Sequence, residues 1–222
     1  MRAPRSIRTL LRIVWLAAPV AGVGIGFLVY VWMRERYGRR APFPAREAQA
    51  LLNPARKRLQ PVRPSLETFR IGPGQTVLEI GPGPGYFTIE ASRMAGPSGR
   101  IVCVDIQPDM AAILRGRLRE HGVANAHPLA GDATRLPLKG RSVDAAYLVA
   151  VLGEVPDRPA ALRELRRVIR PGGVLAFMET LTDPDYVLED TMRDLCRLAG
   201  FEQIDLTRQR LGYAMVFVAP EA

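Results

Sequence analysis

The chain has 222 residues, enough for one full domain and an appendage, and a net charge of +9 that is unevenly shared. Residues 1–70 hold 14 Lys+Arg against 3 Asp+Glu, whereas residues 71–222 hold 17 against 19. A nucleic-acid enzyme carries its positive charge on the binding domain, so this division argues against a nucleic-acid partner and for an anionic membrane surface beside the basic flank.

Residues 1–12 read as a short basic tail. Ile13 to Met33 are 21 uncharged, mostly apolar residues, which as a helix extend about 30 Å and cross a bilayer core. Trp15, Tyr30 and Trp32 lie towards the ends of the run, where amphipathic rings favour the membrane interface. A cleaved signal peptide has a shorter apolar region, and a buried soluble helix has a polar face that is absent here. The expectation is a single transmembrane helix over 13–33. Arg2, Arg5, Arg8 and Arg12 precede it, and Arg34, Arg36, Arg39, Arg40 and Arg46 follow it, a slight bias towards a cytoplasmic C-terminal side. Ala18, Gly22 and Gly26 form a small-xxx-small series that suits a homodimer through the span. Residues 34–70, with Pro42, Pro44, Pro54, Pro61 and Pro64 among them, read as a basic juxtamembrane linker and capping segment. A short amphipathic helix is expected in it around Glu47 to Leu59.

Residues 71–222 carry the domain. Val77-Leu-Glu-Ile-Gly-Pro-Gly-Pro-Gly-Tyr86 is an apolar strand running into three alternating glycines behind an acid. Gly81, Gly83 and Gly85 suit a tight turn that brings backbone close to a ligand. The apolar spacing after Gly85 predicts a helix, so the unit is strand, glycine loop, helix. A dinucleotide loop wants G-x-G-x-x-G, and Tyr86 stands where its third glycine belongs. Glu79 would repel a pyrophosphate and suits a cationic ligand instead. A second strand ends at Asp105, able to accept two ribose hydroxyls. A third, Ala126 to Ala130, leads into Gly131-Asp132-Ala133. A fourth spans Ser142 to Val149. Arg158 to Arg170 is helical in spacing and is expected to stop at Pro171-Gly172-Gly173, before a fifth strand Val174 to Met178. A helix about Val187 to Ala199 and strands about Phe201 to Arg208 and Tyr213 to Ala219 complete the series. Cys103 falls in a strand and Cys196 in a helix, so both are expected buried and reduced; neither they nor His121 and His127 have metal-ligand spacing.

Acidic-x-Gly-x-Gly-x-Gly on a first strand resembles motif I of class I S-adenosylmethionine (SAM)-dependent methyltransferases. Leu162-Arg-Glu-Leu-Arg-Arg-Val-Ile-Arg-Pro-Gly-Gly-Val-Leu175 resembles the fourth helix and fifth strand of the branch that includes the ubiquinone/menaquinone-biosynthesis enzymes. The resemblance covers roughly residues 50 to 222. It implies a Rossmann-like α/β fold with a mostly parallel seven-stranded sheet and helices on both faces. It also implies SAM as cofactor, with Glu79, Gly81, Gly83, Gly85, Tyr86, Asp105, Ile106, Asp132, Ala133 and Val149 around it and Asp132 at the adenine amino group. SAM is cytosolic, so the domain is expected to face the cytoplasm. No catalytic residue is readable, although Glu154 and Glu179 follow the fourth and fifth strands and suit a base or a hydroxyl-orienting role. The fourth strand end, Val149-Ala-Val-Leu-Gly153, lacks the Asn/Asp-Pro-Pro-aromatic element of amino-methylating DNA enzymes.

The expected function is methyl transfer to a small apolar or lipid-soluble acceptor, a quinone or phenolic precursor or a lipid headgroup. A methyltransferase of membrane-associated protein or RNA, a non-catalytic SAM-binding membrane protein and, more remotely, an NAD(P) oxidoreductase are the alternatives.

Overall fold

The computed structural model describes residues 42–54, 56, 60–209 and 211–221. The expected basic tail at 1–12 and span at 13–33 lie outside the described residues. Among the described residues no helix is long and apolar enough to cross a membrane.

Seven strands form one sheet: β1 (Thr76–Ile80), β2 (Arg100–Asp105), β3 (Ala126–Ala130), β4 (Val143–Val149), β5 (Ile169–Thr180), β6 (Glu202–Gln209) and β7 (Gly212–Val218). Their order is β3-β2-β1-β4-β5-β7-β6. The first five run parallel, and β7 lies antiparallel between β5 and β6. The central strands are buried on both faces, which is why β1, β2 and β4 read as near-continuous apolar runs.

Alternation along the strands divides the core in two. Val77, Ile101, Cys103, Ala145, Tyr147 and Met178 face α1 (Val62–Thr68), α2 (Thr88–Ala95) and α3 (Pro108–Glu120). Leu78, Val102, Leu148 and Phe177 face α4 (Arg158–Val168) and α5 (Glu189–Leu198). Both cysteines are free and buried. Residues before β1 enter this core: Leu66 and Phe69 are fully buried, with the Phe69 ring 5.6 Å from that of Tyr147.

One local expectation needs correction. The helix from Arg158 ends at Val168, and β5 runs from Ile169 through Pro171-Gly172-Gly173 to Thr180. Ile169 already pairs with Val143, and the register then shifts before Ala145 meets Val174. Gly172, at φ 73°, donates its N–H to Ala219 O at 2.7 Å, so the breaker residues form an irregularity within the sheet instead of a loop before it. Upstream, a 3-10 helix runs over Ala45–Leu52, within the stretch expected to be helical around Glu47 to Leu59; Arg56 is helical, and residues 57–59 lie outside the described residues. Pro54 explains the end of the 3-10 helix, since the residue before a proline is driven out of helical conformation, and Asn53 is extended at ψ 127°.

Candidate functional site

The order of the strands reverses between β1 and β4, and ligands of open α/β sheets bind at the carboxyl ends of strands beside such a switch point. β1 delivers the glycine loop there. Gly81, Gly83 and Gly85 have φ of 64°, 54° and 87°, a left-handed conformation that side chains disfavour. A Cβ on Gly81 would lie 2.5 Å from Val151 Cγ2, and one on Gly85 would lie 2.5 Å from Leu114 Cδ1. Protein side chains therefore fill that space, and glycine is needed for the turn and its packing as well as for a ligand's approach.

Glu79 is 3% exposed and sits under this loop, where its Oε2 accepts a 2.6 Å hydrogen bond from the Thr88 hydroxyl. Burial pushes its carboxyl from 4.5 to about 7, although Thr88, the Tyr147 hydroxyl and the Arg56 guanidinium all favour the charged form. Asp105, at the tip of β2, accepts from Gln107 N–H at 2.9 Å and from the Gly83 N–H. Burial raises it above the usual aspartate range against those two bonds.

The segment before the domain roofs the loop. Gln107 Nε2 donates to Phe43 O at 2.8 Å and its Oε1 accepts from Ala45 N–H at 3.2 Å. Leu51 Cδ1 lies 3.2 Å from where a Gly83 Cβ would stand. Arg56 covers the Tyr86 ring at 4.7 Å and donates to Leu51 O at 3.0 Å, while the Tyr86 hydroxyl donates to Gln60 O at 3.1 Å. Tyr86 is thus an anchor for the roof. Neither Arg56, Gln60 nor Gln107 is legible as a site residue in the sequence, because each acts through a contact with a segment distant along the chain.

The remaining expected positions behave differently from one another. Ile106 follows Asp105 and is 51% exposed, an apolar side chain held out at the ligand edge. Asp132 is exposed after β3, and its Oδ1 accepts from Thr134 N–H at 2.8 Å, an ordinary turn contact. Ala133 is buried in the α4-side core, and Val149 is half-buried at the end of β4. Ala150, next to it, has φ 54°, and its N–H donates to Met178 O at 2.8 Å.

Carboxylates gather past β4 and β5. Burial, and next the charge of Asp183, pushes Glu154 up to about 8. Burial pushes Asp183 up to about 6, opposed by the Asp185 N–H and by Arg56. Glu179 is 1% exposed and is driven well above the usual range by burial and then by Asp183. Asp183 lies in the Asp183-Pro-Asp-Tyr186 stretch of the loop after β5.

A sheet of this order, a glycine loop behind a buried acid and a second acid closing β2 define the class I SAM-dependent methyltransferase fold. A crystal structure of a SAM-dependent methyltransferase from Aquifex aeolicus superimposes with TM-score 0.76 at 22% identity, over 80% of this chain and 99% of the other. The crystal structure of the [4+2]-cyclase SpnF shares the fold with TM-score 0.66 at 20% identity, over 73% of this chain and 82% of that one.

Residues 77–173 match the family described as "Methyltransferase domain". Among curated relatives, the ubiquinone/menaquinone biosynthesis C-methyltransferase UbiE of Hahella chejuensis is 39% identical over 107 residues, 48% of this chain and 43% of the relative. UbiE of Vibrio campbellii is 37% identical over 116 residues, 50% of this chain and 45% of the relative. The chain spans less than half the length of these relatives.

The fold and the match to a methyltransferase domain imply SAM as cofactor, and the site fits it. Glu79 is a buried acid that a sulfonium or ammonium would favour in its charged form, and Asp105 presents a carboxylate at the strand tip where ribose hydroxyls would lie.

Proposed function

We propose that this protein is a SAM-dependent methyltransferase acting on a small lipophilic acceptor of the quinol class, anchored to a membrane. The observation that carries the cofactor half is the unit of Glu79, glycine loop and Asp105 under one roof. Glu79 would offset the cofactor's positive charge, Asp105 would hold the ribose, and Ile106 with Asp132 and Ala133 would border the adenine. Gly81, Gly83, Gly85, Tyr86 and Val149 would shape the methionine side. SAM, when bound, supplies an electrophilic methyl group on a good leaving group. The chain's own task is then to place the nucleophile in line with it and exclude water. The Ala45–Leu52 helix and Arg56 cover the loop in the way such exclusion requires.

The likeness to the two UbiE enzymes supports a quinol acceptor. The uncharged run at 13–33 and its basic flanks support a single-pass anchor with the catalytic domain in the cytoplasm, where SAM is made. An anchor raises the domain's effective concentration at the bilayer that dissolves such an acceptor. The small-residue series at 18, 22 and 26 supports pairing of two spans.

Incubating the membrane-bound protein with methyl-labelled SAM and separated quinol, phospholipid, protein and RNA fractions tests this. Label in the quinol fraction is the expected result, and label confined to another fraction would replace the acceptor. The SpnF likeness keeps a second reading in view, since one fold hosts several chemistries. A SAM-binding protein that transfers no methyl group would bind SAM and label nothing.

A further inference from the structure

The acids past β4 and β5 form a group that cofactor binding does not use. Glu179 carries the observation that points to a ligand. It is 1% exposed, its Oε2 accepts only a long 3.4 Å bond from Val187 N–H, and its Oε1 has no hydrogen-bond partner among the described residues. A polar atom sealed in this way destabilises the fold unless something pairs with it. Asp183 and Glu154 are its electrostatic neighbours. The two loops that carry them clasp each other, for a Cβ on Gly153 would lie 1.9 Å from Asp185 O. The cluster thus has a fixed shape over the tips of β4 and β5, next to the glycine loop on β1.

We propose that this cluster is the acceptor's hydroxyl site, in which Asp183 takes the proton of a phenolic O–H while neutral Glu179 and Glu154 hold the acceptor's oxygens. The assignment rests on the quinol reading given above and supplies its missing proton acceptor.

The groups facing Asp183 divide the roles. Glu154 stands past β4, Glu179 on β5 and Asp185 in the same loop, and Arg56 comes from the roof; Arg158 of α4 acts on Glu179. Of Asp183, Glu154 and Glu179, Asp183 at about 6 is the one mostly ionised at neutral pH, whereas Glu154, at about 8, and Glu179, pushed well above the usual range by burial, keep their protons. The step balances. The hydroxyl proton passes to Asp183, and the electron pair it leaves moves through the ring to a carbon. That carbon forms the new C–C bond with the methyl group as the C–S pair returns to sulfur. Loss of the ring C–H proton to water rearomatises the ring as a phenolate, which takes its proton back from Asp183; the hydroquinone is restored, Asp183 is ionised again and one proton is released per turnover.

The test uses the full-length protein in membranes, methyl-labelled SAM and a short-chain alkyl hydroquinone, with kcat measured from about pH 5 to about pH 9. The wild-type rate should rise through about 6, the ionisation of Asp183. Asp183→Asn should lower kcat at neutral pH by about 100-fold, within the usual range for a general base, abolish that rise and leave the SAM Kd within about threefold. Glu179→Gln and Glu154→Gln, which replace neutral acids by neutral amides, should keep the rise. Asp183→Asn turning over within about threefold of wild type, or retaining the rise, would overturn the assignment alone. Wild-type protein that binds SAM but never methylates the hydroquinone would overturn the quinol reading and this site with it.

Discussion

Glutamine in place of Glu79 keeps the shape of the side chain under the glycine loop and removes its charge. A glutamine carbonyl still accepts the 2.6 Å bond from the Thr88 hydroxyl. Burial moves the Glu79 carboxyl from 4.5 in the unfolded chain to about 7 in the folded one. The folded state therefore binds this proton more tightly. Its contribution to stability is fully present below 4.5 and is lost as pH rises through about 7. That displacement corresponds to about 3 kcal/mol, a large part of the 5–15 kcal/mol that holds a domain together. Urea unfolding followed by circular dichroism at about pH 4.5 and about pH 8 reads it directly. Glu79→Gln should be close to neutral at the acid end and stabilise the ligand-free protein by about 3 kcal/mol at the alkaline end. SAM should reverse the advantage, because its positive charge favours ionised Glu79. Wild-type binding should then release a proton near pH 6, visible as a buffer-dependent calorimetric enthalpy, and the variant should show none. Parallel stability curves for the two proteins, with equal proton release on binding, would refute the reasoning.

Three further outcomes follow from the same geometry. Asp105→Ala removes the carboxylate at the β2 tip and should weaken SAM binding by about tenfold or more in calorimetry, the loss expected for about 1.4 kcal/mol of charged hydrogen bonding. Phe69→Ala opens a cavity against Tyr147 and should cost about 3–5 kcal/mol in urea unfolding, the usual loss for a fully buried phenylalanine. Gly153→Ala drives a methyl group into the Asp185 carbonyl; overpacking of about 1–3 kcal/mol should lower melting temperature and kcat while SAM affinity holds.

The sequence made the sheet and its ligand edge legible for a physical reason. Strands buried on both faces must be apolar throughout, so β1, β2 and β4 stand out as runs, and a glycine loop needs residues that no other structure favours. β5 was misjudged at its start because Pro171-Gly172-Gly173 stops a helix and, equally, fits a bulge; only the pairing of Ile169 with Val143 decides between them. The roof was hidden for a different reason. Arg56 covers the Tyr86 ring, the Gln60 main-chain oxygen accepts from the Tyr86 hydroxyl and the Gln107 side chain donates to Phe43 O, and no spacing rule marks partners so far apart along the chain. Asp183 shows the same limit, since its neighbours Glu154, Glu179 and Arg56 come from three separate segments. Residue type marked Asp132 as readily as Asp105, yet Asp105 is buried against the glycine loop and Asp132 is exposed in a turn.

Titration of the purified full-length protein with SAM in a calorimeter, followed by addition of an alkyl hydroquinone and detection of the methylated product by mass spectrometry, tests the central claim most directly. A SAM-dependent quinol methyltransferase should bind SAM at micromolar concentration, lose that affinity with Gly83→Val, and add one methyl group per SAM consumed. No binding at millimolar SAM would contradict the assignment of the cofactor, and undiminished binding by Gly83→Val would contradict the site.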